Sequence, residues 1–334
     1  MNTVFISFIS DLELGEAQSH KNQSIIPLFH KAKTSVNYLT LKEALEKGLL
    51  TISEVSVAGS VPELRVKNDA DSPVLLLDGE EICGAKQNRV LNTSILIKEK
   101  SETIIPVSCT EHGRWAYSSK VFADSNLMMA SSIREIKLNS VSRSLRKGHK
   151  FRSDQSGIWN HIYSLAADAG VTSDTGAMKD LFNERESNVE EYVSAFGVIP
   201  GQKGLVCMID NSIVGIDVFS NENTYNLIHS KLIKSYAMDA LLSKANLQGV
   251  DCIEKAREFL KDATLCDEER HESVGYGWDC RFKGESIIGS ALLHNDEVIH
   301  MTFFRIRNYT APRDNFVSFS SRLRNRTGGP HCQI

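Results

Sequence analysis

The stretch DGEEICGAKQNRVLN, residues 78–92, decides how the first third of the chain is read. It follows the apolar run Val74-Leu75-Leu76-Leu77 and leads into Ile95-Leu96-Ile97. Two buried strands are expected on either side, with Gly79 and Gly84 letting the backbone turn between them. Loops that are polar only because they are wet use Asp, Ser and Pro freely. Here charged and carboxamide side chains of different kinds crowd together instead. Lys86 and Arg89 suit an anion, Gln87, Asn88 and Asn92 suit a polar ligand, and Glu80 or Glu81 suits a base or a metal ligand. The competing reading is a solvated hairpin loop, or a polar knot that bonds to the protein's own backbone.

Working outward, residues 1–122 read as a β-rich lobe of sandwich or roll type. Short runs such as QSIIPLF, ELRVKN and TIIPVSC are separated by polar clusters, and VFISFISDL is taken as the first strand. One helix interrupts them: Thr40 with Glu43 three residues on is a capping box, and Gly48 ends it. Residues 123–199 switch to helical spacing, starting near NLMMASSIREIK, continuing in DQSGIWNHIYSLAADAG, and then in one helix over TGAMKDLFNERESNVEEYVSAFG. Residues 200–308 read as an α/β lobe with antiparallel hairpins turning at Asp210-Asn211, Lys283-Gly284 and Asn295-Asp296, and helices at 222–242 and 253–260. Residues 309–334 are expected to form a mobile tail. Without regular βαβ alternation the class is α+β rather than doubly wound.

The 334 residues suit one large or two medium domains, and 41% hydrophobic with 24% charged residues is ordinary for a soluble globular protein. The net charge of −4 gives no overall pull toward nucleic acid or an anionic membrane. No apolar run approaches the roughly 18 residues of a membrane helix. Asp11, Glu13 and Glu16 follow the apolar start too soon for a signal peptide. The seven cysteines are odd in number and form no CxxC, which points to free thiols in a reducing cytoplasm.

Two further constellations carry candidate chemistry. Cys109-Thr110-Glu111-His112-Gly113-Arg114-Trp115 follows a strand end, where Glu111 and His112 could act as base and partner or as metal ligands. Cys109 would be a nucleophile only if His112 or Arg114 lowered its pKa. No HExxH or third ligand at fixed spacing accompanies them, so no metal is assigned. The second constellation is basic: Arg134, Lys137, Arg143, Arg146, Lys147, His149, Lys150 and Arg152, followed by Asp154, Gln155 and Trp159. Guanidinium forks, hydroxyls and a helix start suit phosphate, and Trp159 suits a stacked base. The bland alternative is a solvated basic helix face. A nucleic-acid surface is disfavoured by the negative chain and the few interleaved aromatics. GxGxxG, P-loop and GxSxG patterns are absent, and no cofactor is assigned.

LDGEEICGAKQNRVLNTSILI and IPVSCTEHGRW, with VSRSL, SDQSGIW, TGAM and GLVCMIDNSIVGIDVF, resemble the prokaryotic family named for its association with ADP-ribosylglycohydrolases and rhodanese-like phosphatases. The resemblance spans roughly residues 20–305. It implies a bacterial or archaeal protein near ADP-ribose or NAD-derived signals, in phage defence or stress, and it implies no settled reaction. Joined to the residues, it suggests a nucleotide-derived ligand. Arg89, Arg146 and Arg152 would serve a diphosphate, Glu81, Gln87 and Asn88 a ribose, and Trp115 or Trp159 a base, with Arg114, Asn92 and Gln155 beside them. Glu81, Glu111 or His112 would act if chemistry follows. An enzyme on a nucleotide or ADP-ribosyl linkage, a sensor, and an oligomeric or partner-binding scaffold all remain open.

Overall fold

Nine strands build the central sheet, and strands from residues 13–29 and 204–305 meet in it. Its order runs Glu13–Leu14, Gln23–Phe29, Gly204–Ile209, Ser212–Phe219, Glu297–Arg305, Ile287–His294, Trp278–Lys283, Asp267–Glu272, with Gln18–His20 also paired to Gln23–Phe29. Every pairing within it is antiparallel. The computed structural model describes residues 1–32, 34–243 and 251–307, so the expected tail at 309–334 lies outside the described residues. Among the described residues there are eight helices and eighteen strands, and the α+β class holds.

The sheet is covered on both faces. One face carries Ile26, Leu28, Val206, Ile216 and Phe303 against Phe5 and Ile9 of the helix Thr3–Ser10 and Ala256 and Phe259 of the helix Cys252–Thr264. The other carries Ile25, Leu205, Phe219 and Phe304 against the helices Ser131–Arg146 and Glu222–Leu242. A second body holds the six-stranded sheet Phe122–Met128, Glu80–Gly84, Arg89–Leu91, Ser101–Cys109, Glu63–Asn68, Leu50–Glu54, with the three-stranded sheet Ile95–Ile97, Val74–Leu76, Leu39–Thr40 and the short helix Leu41–Glu46. These enclose their own core of Leu41, Ile52, Leu64, Val74, Ile82, Leu91, Ile95 and Val107. The capping box is present, with Thr40 Oγ1 accepting from Glu43 N–H and Glu43 accepting from Thr40 N–H at 2.9 Å.

Several expectations are corrected. Residues 3–10 form a helix, not a strand. Asn2 caps it, and Phe5 and Ile9, four apart, bury together against the sheet. Burial therefore overrides the strand preference of Val4, Phe5, Ile6 and Ile9. Residues 122–128 are a strand, and the helix begins only at Ser131. The single helix expected over 175–197 starts only at Met178 and breaks at Arg185 into Met178–Glu184 and Glu186–Ala195. Residues 13–29, grouped by sequence with the lobe 1–122, pair instead with the strands of 204–305. The hairpins at Asp210-Asn211 and Asn295-Asp296 do form, with both central residues left-handed as a type I′ turn requires. Nothing in the spacing announced the strand Asp267–Glu272, whose DEERHE sequence has no apolar face. It closes the sheet's edge with charge, which discourages further strand addition.

Gly277 sets the geometry of that edge. Its φ is +83°, and a Cβ there would lie on the Leu293 carbonyl oxygen. Gly277→Ala is expected to cost more than about 2 kcal/mol of stability. A urea melt showing less than about 0.5 kcal/mol would mean that the edge yields freely.

Candidate functional site

The motif of residues 78–92 is a strand–turn–strand, and its alternation sorts the side chains. Glu81 pairs with Val90, which pairs with Ser108, while Ile82 pairs with Arg89, which pairs with Cys109. Opposed residues share a face, so Glu81 and Ser108 point one way while Arg89 and Cys109 point the other, beside the core residues Ile82, Leu91 and Val107. The turn between the strands uses left-handed backbone at Gly84 (φ 125°) and Ala85 (φ 39°). At Gly84 any side chain would strike Ser119 and Val121.

Residues 86–89 and 109–115 form one knot. Gln87 donates to the Glu111 carbonyl at 2.9 Å and the His112 carbonyl at 3.4 Å, and accepts from Arg89 Nη1 at 3.0 Å. Asn88 Oδ1 accepts from Gly84 N–H and Arg114 Nη2. Arg114 grips both oxygens of Glu111, Nε to Oε1 at 2.8 Å and Nη2 to Oε2 at 2.6 Å. Asn88 N–H and the Thr175 hydroxyl also donate to that carboxylate. Burial opposes its ionisation, but Arg114 with these donors outweighs it and holds Glu111 below its ordinary value. A carboxylate so occupied is a structural anion and a poor proton acceptor.

Arg89 differs from its neighbours. It is fully buried, yet among the described residues Nε and Nη2 have no hydrogen-bond partner. Burial pushes its pKa down. Its guanidinium carbon lies 5.8 Å from the ring centre of Trp115, which is 47% exposed. Lys86 Nζ sits 5.0 Å from the same ring and 5.2 Å from the half-exposed Tyr117, while donating to the Ala58 carbonyl at 2.7 Å. Cations and aromatic faces thus meet at one surface corner.

The other candidates are scattered around it. Gln155 bonds both the N–H and the carbonyl of Cys109, at 2.7 and 2.8 Å, much as a strand neighbour would. Asn92 donates to the Phe151 carbonyl at 2.9 Å and accepts from Ser108. His112 is exposed and meets Trp159 edge-on at 4.2 Å. Burial pushes the Cys109 thiol up and outweighs nearby Arg89, so it is no ready nucleophile. Glu81 is buried, accepts from Thr110 at 2.7 Å and leaves Oε2 without a partner among the described residues; burial raises its pKa to about 7. Arg146 pairs with Glu269 at the surface, and Arg152 is exposed. No group of three or more His, Cys, Asp or Glu side chains is arranged for a metal among the described residues.

Behind the motif lies a buried ionic layer that the sequence reading missed. Arg134, assigned to a basic face, is fully buried and clamps Asp217 at 2.6 and 3.0 Å. Tyr236 donates to the same aspartate at 2.8 Å, and His300 Nε2 lies 3.5 Å from it. Lys231 joins Glu80 and Asp124 at 2.8 and 2.7 Å, Lys137 joins Asp78, and Arg281 joins Asp279 and Thr93. The signal was available: Asp217 stands inside the apolar strand IVGIDVF, and a charge there needs a buried partner. The layer ties the motif hairpin to the nine-stranded sheet. Ser94 reaches His300 at 2.8 Å, and Thr93 reaches Asp279.

No helix among the described residues is long and apolar enough to cross a membrane. No match was found among curated proteins or among solved structures. A family model, the ARG and Rhodanese-Phosphatase-superfamily-associated Protein domain, matches residues 11–304 and so takes in the whole knot and the ionic layer behind it. That family is associated with ADP-ribosylglycohydrolase and rhodanese-phosphatase genes. By the extent of this match, the chain belongs to the ARG and Rhodanese-Phosphatase-superfamily-associated Protein family.

Proposed function

We propose that the protein binds an anionic, nucleotide-derived ligand of the ADP-ribose or NAD class at the corner of Arg89, Lys86, Trp115 and Tyr117, and acts as a sensor. One observation carries this reading: a fully buried guanidinium keeps two N–H edges without partners beside a half-exposed indole. Buried donors of this kind are costly unless something completes them. A phosphate oxygen does so, with Lys86 adding charge, while a base stacks on Trp115 or Tyr117. Sensing is favoured over hydrolysis because both oxygens of Glu111 are already bonded.

Calorimetry with ADP-ribose, NAD, AMP and pyrophosphate tests the reading. At least one is expected to bind, and Trp115→Ala, at an exposed position, should weaken it by about 5- to 150-fold, the worth of one stacked base. If none binds, the reading is wrong. A second reading then stands, in which the motif is purely structural. It is favoured by Gln87, Asn92 and Gln155, all of which donate to main-chain carbonyls.

A further inference from the structure

A cavity of about 270 Å³ lies between the helix Thr3–Ser10 and the turn that leads into the strand Glu297–Arg305. The helix side supplies Val4, Phe8 and Asp11, spaced by four and three residues so that they share one face. The turn supplies Asp296, Glu297 and Val298. The Phe8 ring stacks on the His30 imidazole with centroids 4.5 Å apart. Apolar and aromatic surface is thus bordered by three carboxylates. Small-molecule pockets usually run from about 300 to 1,000 Å³. This one falls below that range and suits a single anchoring side chain.

The carboxylates call for a cation. Among the described residues Asp11, Asp296 and Glu297 make no ion pair. Glu297 accepts from the hydroxyls of Thr34 and Ser35 at 2.6 and 2.5 Å, and Asp11 meets the Ser7 hydroxyl at 3.5 Å. Lys203, whose charge acts on His30, has its amine on the Ala32 carbonyl at 2.5 Å. Three other cavities include basic side chains in their walls: Lys42 in one, Lys234 in another, Arg257 and Lys261 in the third. A basic occupant therefore fits this cavity better than those.

The chain carries such an occupant within reach. Residues 316–326 read FVSFSSRLRNR, with Phe316, Phe319 and Leu323 among Arg322, Arg324 and Arg326. The described chain ends at Arg307, just past the strand Glu297–Arg305, whose other end lines the cavity. Nine strand residues span about 30 Å. Phe316 stands nine residues beyond Arg307 and Phe319 twelve, so extended chain carries them at most about 32 and 43 Å. Phe316 has almost no slack to return along the strand, whereas Phe319 has enough to pass over the surface.

We propose that residues 316–326 of this chain dock in the cavity, with the Phe319 ring on Phe8 and the arginines on Asp11 and Asp296. This docking stands independently of the Arg89 corner.

The test is hydrogen–deuterium exchange on the full chain, read by mass spectrometry. Residues 316–326 are expected to exchange more slowly than an unprotected chain. The triple variant Arg322→Ser, Arg324→Ser, Arg326→Ser should speed exchange of residues 4–11 and leave residues 78–92 unchanged. Asp296→Asn keeps a residue that tolerates left-handed backbone, φ 59° here. It should speed residues 316–326 by about 1.5- to 5-fold, the range for one exposed ion pair. In 1 M salt, where charges are screened beyond about 3 Å, that difference should vanish while the effect of Phe319→Ala persists. Proximity is checked by disulfide trapping. With Ser7→Cys and Ser320→Cys, peptide mapping after mild oxidation should show a 7–320 link whose yield does not depend on protein concentration. Unprotected residues 316–326, together with residues 4–11 that ignore the arginine substitutions, overturn the proposal. A link that grows with protein concentration overturns it too, since the segment then docks on a second copy.

Discussion

Arg134→Leu is expected to lower the unfolding free energy by about 3–5 kcal/mol, the typical cost of stranding one partner of a buried ion pair. Asp217 is fully buried and holds the Arg134 fork on both oxygens. Burial alone would raise its pKa, but Arg134 and His300 together hold it well below the usual carboxylate range. Take Arg134 away, and the anion keeps only Tyr236 and His300. At roughly 2–4 °C per kcal/mol for a domain of 150–250 residues, the melting temperature should fall by about 10 °C. Replacing both partners, Arg134→Leu with Asp217→Asn, should restore part of the loss, because no buried charge is then left alone. Urea melts of the two variants decide the matter. A single variant within about 1 kcal/mol of wild type would show that the layer is not dry.

Glu81→Gln should change how stability depends on pH. Its carboxyl is buried, and its pKa rises from 4.5 to about 7. At pH below 4.5 folded and unfolded chains both hold this proton. Between 4.5 and 7 the unfolded chain releases it while the native protein keeps it, so stability falls as pH rises. Above 7 the loss is complete. At 1.36 kcal/mol per pKa unit it amounts to about 3 kcal/mol. The glutamine variant cannot ionise. It should therefore gain on wild type by about that amount between pH 4.5 and pH 8, the gap opening upward in pH. Parallel slopes for the two proteins across this window would mean that Glu81 is solvated or paired in solution.

What the sequence disclosed was what short-range chemistry fixes. Thr40 and Glu43 cap a helix within four residues, and Asp210-Asn211 turns a hairpin within two, so both were legible. The helix Thr3–Ser10 was not, because its residues favour strands and only the sheet across from Phe5 and Ile9 decides otherwise. The same limit applied at the site. DGEEICGAKQNRVLN and CTEHGRW were expected to stand together, and they do. Which way each side chain faces depends on main-chain atoms far along the chain: the Glu111 and His112 carbonyls for Gln87, and the Phe151 carbonyl for Asn92. No local pattern encodes those. Arg134 and Lys137 show the cost of reading charge by density alone, since a run read as a basic face suited to phosphate contains two of the most deeply buried side chains.

The strand Gln23–Phe29 is made early in synthesis but pairs with Gly204–Ile209. At roughly 5–20 residues per second, its partner leaves the ribosome some 10–40 s later. Through that wait QSIIPLF has its local partners Glu13–Leu14 and Gln18–His20 on one edge, while the other edge, of the kind that associates between chains, stays open. Pro27, which carries no N–H, falls on the opposite edge, where its carbonyl accepts from the Gly15 N–H at 2.8 Å, so the waiting edge keeps its full set of donors. The middle of the chain, with its own small core, can fold while the two ends wait for each other. The pairing of Gln23–Phe29 with Gly204–Ile209 is thus the contact that synthesis order delays.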